Sequence, residues 1–174
     1  MKTLSRFEHA QLVGWTAKFC RLFSIDEARV RATFIGTTAQ LRVALDELLV
    51  LANQCGVNME TAIWNKYPNI CPYCLAKPCC CGPQKATPHK RLNVPLPQGG
   101  LTLGDLQRML GEIYPNHSSL LREIVDVISE VGESSWAIWS LADPREIEEE
   151  FADVFARLIR IANKVDIILE GLIA

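Results

Sequence analysis

Two pairs of carboxylates in the last third of the chain, Glu130 with Glu133 and Glu150 with Asp153, have the spacing for cation chemistry. An offset of three residues puts both members of a pair on one helical face, about one turn apart. If two neighbouring helices each present such a pair, four carboxylates meet at one place and repel each other unless a cation lies between them. Hard oxygen donors suit Mg²⁺. Magnesium held in this way serves the hydrolysis of a phosphate ester or anhydride, because it neutralises the substrate and lowers the pKa of water. Acids on solvated helix faces are the plainer explanation, and Glu146, Glu148 and Glu149 fit it as groups that complement a helix dipole. Glu130 and Glu133 do not fit it: they fall in mid-helix, with no Lys or Arg at the four-residue spacing.

A second constellation is made of thiols. Cys71-Pro-Tyr-Cys74 is followed by Cys79, Cys80 and Cys81, and the spacing C-x2-C-x4-C-x-C through Cys71, Cys74, Cys79 and Cys81 can wrap four thiolates around one Zn²⁺. Such a closed site has no open position and would staple the loop without catalysing. An iron–sulfur cluster, redox thiols or an unligated Cys-rich linker are the other readings, and Cys80 or His89 could replace a ligand.

The elements that must position the carboxylates are helices. Leu120, Leu121, Ile124, Val125, Val127, Ile128, Val131 and Ile138 recur at helical spacing. Glu123, Asp126, Glu130 and Glu133 fall in an arc of roughly 80° at about 100° per residue. Ser118 or Ser119 offers an N-cap, and the next helix opens with Asp143 as cap and Pro144 at its first position. The break near 141–143 then predicts a tight turn between antiparallel helices. On the second helix Ile147, Phe151, Val154, Phe155, Leu158, Ile161 and Ala162 form the expected buried stripe, and a further helix is predicted from a Thr102 cap to about Tyr114.

The stretches Ser129-Glu130-Val131-Gly132-Glu133 and Glu149-Glu150-Phe151-Ala152-Asp153-Val154 resemble the paired E-x-x-E and E-x-x-D motif of the MazG-like all-α nucleoside triphosphate pyrophosphatases. The resemblance covers roughly residues 101–174. It implies an antiparallel helical bundle in which Glu130, Glu133, Glu150 and Asp153 hold Mg²⁺ and an NTP or dNTP is cleaved to the monophosphate and pyrophosphate. Many members have Glu where this chain has Ser129, a position that can help orient water; members similar to the dCTP pyrophosphatases lack it too. Either Glu133 or Glu130 can serve as general base.

Substrate contacts are less determined. Arg157, Arg160 and Lys164 follow Asp153 on the same face and form either a triphosphate clamp or a solvated stripe. Trp136 and Trp139 offer a platform for a base, or else are core or subunit-interface residues. Asn163 could hydrogen-bond a base or sugar, or simply end a helix.

The net charge of −2 argues against a nucleic-acid partner. No apolar run is long enough to cross a bilayer and the first residues are too polar for a secretion signal, so a cytoplasmic protein is expected. Seven Cys, an odd number, without such a signal point away from a disulfide framework.

Three regions are expected. Residues 101–174 form the catalytic half, and 67–100 a linker that holds seven of the nine prolines. Residues 1–66 form a degenerate half, because a shift of 110 residues superposes Leu48 on Leu158, Ala52 on Ala162, Asn53 on Asn163 and Glu60 on Glu170, and puts Gln40 and Val43 where the metal pair would be. Gly56 to Tyr67 also resembles the short helix that follows the last long helix in this family. Chance matching of Leu- and Ala-rich helices is the alternative to duplication. Apolar faces on so few helices predict a homodimer or larger assembly. A non-catalytic nucleotide-sensing or interaction module, or a phosphohydrolase for another pyrophosphate-containing metabolite, are the competing functions.

Overall fold

The structure is a computed structural model that describes residues 34–81, 92, 94–115 and 118–170. The first 33 residues of the expected degenerate half and the alternative ligand His89 lie outside the described residues. Among the described residues, all regular structure is helical: α1 (Phe34–Gln54), α2 (Met59–Lys66), α3 (Leu103–Ile113), α4 (Leu120–Trp139) and α5 (Pro144–Lys164). No described helix is long and apolar enough to cross a membrane.

Local chemistry explains where the helices begin. Ser119 accepts a hydrogen bond from the Arg122 N–H, Asp143 accepts from Arg145 with Pro144 behind it, and Thr102 forms a reciprocal capping box with Asp105. Helix α1 ends where Gly56 takes φ +73°, so that the Val57 N–H reaches Ala52 O at 2.8 Å. At the end of α5 Asp166 takes φ +56° and the Ile167 N–H reaches Ala162 O at 3.0 Å. The two caps are therefore alike at positions that the 110-residue shift superposes.

Helix α5 is the hub and packs against all four others. That role needs apolar side chains on more than one face, which Phe151, Val154, Phe155, Leu158, Ile159 and Ile161 supply; all are buried. From α1 the stripe Leu41, Leu45, Leu48 and Ala52 is wholly buried, and α1 packs on α5. Each such Leu contributes about 1.5–3 kcal/mol of burial. On α4 the inward face is Ile124, Val127, Val131 and Ile138, whereas Leu121 and Val125 are exposed. The helical period could not separate those two from the core, because it shows a face but not how wide its partner is.

The linker is tied down at several points. Trp64 Nε1 donates to Val94 O at 3.0 Å and Pro95 O at 3.1 Å, and Glu60 accepts from the Leu101 N–H at 2.6 Å. Gly100 is required at that approach, since a Cβ there would stand 2.7 Å from Glu60 Oε1 at a φ of +75°.

Candidate metal centres

The antiparallel pairing of α4 and α5 aligns their acidic and basic residues as rungs. At one end Glu123 meets Arg160 at 2.6 Å, and the next rung joins Asp126 to Arg157 at 3.0 Å. Arg157 also reaches Glu130 at 3.2 Å and Glu123 at 3.6 Å. Glu123 is fully buried and also accepts from Ser118, and the Arg160 guanidinium that pairs with it lies over the Tyr114 ring at 4.9 Å. The absence of a cation at helical spacing from Glu130 is thus made up across the helix pair, by Arg157.

Toward the other end the rungs become anionic on both sides. Carboxylate oxygens of Glu130, Glu150 and Asp153 lie within 4.8 Å of one another. Glu133 is exposed at the rim, accepting from Ser129 Oγ at 3.3 Å, and is near enough that its charge helps to raise Glu130 and Glu150. Burial, with the like charges of Asp153, Glu133 and Glu130, pushes the Glu150 carboxyl up to about 7 against the pull of Lys66. Glu150 Oε2 is buried with no hydrogen-bond partner. A carboxylate oxygen left in that state is costly unless a cation meets it. Three carboxylates this close could hold a metal ion between them.

Two groups that the sequence did not nominate complete the site. Lys66, 5% exposed, places Nζ 2.5 Å from Asp153 Oδ2 and 3.2 Å from Glu149 O. The Tyr67 hydroxyl donates to the other Asp153 oxygen. Burial alone would pull the Lys66 ammonium down, but Asp153, Glu150 and Glu149 together hold it above its ordinary range. Tyr67 is pushed well up by burial and by the Asp153 charge. Both come from the end of α2, more than 80 positions away in the chain, and nothing local in the sequence points from one to the other.

The remaining nominated residues are spread out. Trp136 and Trp139 are 64% and 57% exposed, with ring centroids 4.9 Å apart, so neither is core. They continue α4 beyond Glu133. Asn163 is engaged elsewhere: its amide exchanges hydrogen bonds with Gln107 of α3 at 2.9 and 3.3 Å. It lines an open cleft of about 470 Å³ with Gly104, Gln107, Tyr114 and Glu170, and none of the four motif carboxylates is part of that lining. Lys164 is half-buried one turn past Arg160.

The thiols converge as the spacing predicts. Cys71, Cys74, Cys79 and Cys81 bring their sulfurs within 4.8 Å of one another, with Cys71 to Cys81 at 3.7 Å and Cys74 to Cys79 at 3.9 Å. Zinc–sulfur bonds of about 2.3 Å at tetrahedral angles require sulfurs about 3.8 Å apart. Backbone N–H groups of Cys80 and Cys81 point at Cys74 and Cys79 sulfurs, both at 3.4 Å. Burial would raise the Cys74 thiol, yet N–H donors from Cys80 and Ala76 with the neighbouring thiols bring it down to about 6, whereas burial and the neighbouring thiols push Cys79 and Cys81 up. Cys80 is exposed and outside the set. The four can hold a metal such as zinc.

Compared with protein-family models, curated proteins and solved structures, the chain matches none.

Proposed function

We propose that this protein is a Mg²⁺-dependent nucleotide pyrophosphohydrolase of MazG-like type, cleaving an NTP or dNTP to the monophosphate and pyrophosphate. The observation that carries the reading is the convergence of Glu130, Glu150 and Asp153, together with a buried Glu150 oxygen that has no hydrogen-bond partner. When bound there, Mg²⁺ would neutralise the triphosphate and make the attacking water more acidic. Glu130, Glu150 and Asp153 hold the ion, and Lys66 and Tyr67 fix the Asp153 rotamer from the far side. Glu133 is better placed than Glu130 to take the proton from water, because it is exposed at the rim while Glu130 is engaged by Arg157. Arg157 and Arg160, paired to buried carboxylates, act on the triphosphate mainly through the site's field. Trp136, open to solvent one turn past Glu133, offers the base a stacking face.

Zn²⁺ is our assignment for the four thiols, in a structural role, and the exposed Trp136 and Trp139 rings are where a second copy would pack. The deciding experiment is a panel of canonical and damaged NTPs and dNTPs, with separate detection of pyrophosphate and monophosphate and with Mg²⁺ present or chelated. Magnesium-dependent release of both products from one or more substrates is expected. Turnover of none of them would leave a nucleotide-sensing module as the better description.

A further inference from the structure

Resting on the two metal sites proposed above, we infer that the thiolate-bound metal positions the carboxylate site, by fixing the short segment that joins Lys66 and Tyr67 to Cys71. Lys66 and Tyr67 hold both oxygens of Asp153, and four residues after Tyr67 the chain supplies Cys71, the most buried of the four thiols. The intervening chain is folded tightly: the Tyr67 N–H reaches Ile63 O at 2.7 Å, Asn69 takes φ +61°, and Asn69 Oδ1 accepts from Lys77 Nζ at 2.6 Å. A displacement of Cys71 therefore reaches Tyr67 with little slack.

Side chains make a second connection. The Tyr114 hydroxyl donates to Cys71 Sγ at 3.7 Å, and its ring stands edge-on to Tyr67, with centroids 6.1 Å apart at 85°. The Cys79 N–H donates to Ile113 O at 2.7 Å, so the end of α3 that carries Tyr114 is bound to the same loop.

Beyond these contacts and an ion pair from Lys77 to Glu112, the loop has no regular structure to order it. Residues 71–81 contain no helix or strand, and Leu75, Lys77, Pro78 and Cys80 are exposed. Immobilising such a segment costs conformational entropy that a few backbone hydrogen bonds do not offset. Four bonds to one metal do, as in small domains that fold around zinc. Losing the metal releases Cys71, then the Tyr67 and Tyr114 contacts, and Asp153 loses the two donors that hold its oxygens.

The test uses the full chain and reads Mn²⁺ binding at the carboxylates by electron paramagnetic resonance, alongside zinc content by elemental analysis. Cys74→Ser is expected to lose zinc and to weaken Mn²⁺ binding about tenfold, while Cys80→Ser changes neither. Cys81→His, which keeps a zinc ligand, is expected to retain both. Tyr114→Phe is the second variant, independent of whether Cys74→Ser leaves the loop folded: it keeps the ring but removes the hydroxyl, and should retain zinc while weakening Mn²⁺ binding by about threefold. Zinc lost with Mn²⁺ affinity unchanged, or an unaltered Tyr114→Phe, overturns the coupling and leaves both metal sites standing. Intact, zinc-loaded protein that binds no Mn²⁺ overturns the carboxylate site and the coupling with it.

Discussion

The two ends of the α4–α5 seam are built from the same residue types and do opposite things. At the Glu123 end every carboxylate meets a guanidinium, although Glu123 Oε2, like Glu150 Oε2, is buried without a hydrogen bond. At the Glu150 end three carboxylates converge and the cations present, Lys66 and Arg157, are fewer than the anions. An ion pair is a finished interaction, and breaking it by removing one partner strands a buried charge. A cluster of like charges is unfinished, and removing one member relieves it. Stability and activity should therefore respond oppositely along one seam.

The largest expected effect is on turnover. Glu133→Gln and Glu150→Gln should each lower kcat by a thousandfold or so, about 4 kcal/mol of transition-state stabilisation, with circular dichroism unchanged; full activity in both would remove the carboxylates from the reaction. Next is the closed end. Glu123→Gln leaves Arg160 and Arg157 short of a buried counter-charge and should cost about 3 kcal/mol of stability, read as a lower urea midpoint. Equal destabilisation by Glu150→Gln would erase the distinction between the two ends. Asp153→Asn is intermediate: it lowers turnover and also destabilises, because Lys66 is left buried without its main partner.

A smaller effect follows from pH. Folding without metal raises the Glu150 carboxyl from 4.5 to about 7. Between those values the folded chain holds more protons than the unfolded one, so stability falls as pH rises. The contribution is fully present below about 4.5 and gone above about 7. Melting of the metal-free protein should drop across that window, Mg²⁺ should restore it most at the alkaline end, and Glu150→Gln should flatten the profile. A profile that stays unchanged in Glu150→Gln would assign the titration to another group. The smallest expected change is at the rim: Trp136→Ala should raise KM severalfold with kcat and melting unchanged if a base stacks there, and should instead alter the sedimentation coefficient if a second copy packs on it.

Helices, caps, the thiol cluster and the one-turn spacing within each carboxylate pair were legible because each is encoded locally; that only Glu130, Glu150 and Asp153 of the four carboxylates converge was not. Ser119, Thr102 and Asp143 satisfy N–H groups two or three residues away, and the carboxylate and thiol spacings reflect one turn of helix and two tight loops. A contact between distant residues leaves no such trace. By sequence Arg157 and Arg160 are either a triphosphate clamp or a solvated stripe; in the fold α4 pairs them with Glu123, Asp126 and Glu130. Lys66 and Tyr67 became part of the Asp153 site only when α2 packed on α5. Asn163 was turned away from the carboxylates by Gln107 on α3. Local spacing determines which groups share a face, since backbone geometry repeats along a helix. Which of those charges are neutralised, and which are left wanting a cation, depends on the helix that packs opposite, and only the tertiary structure decides that.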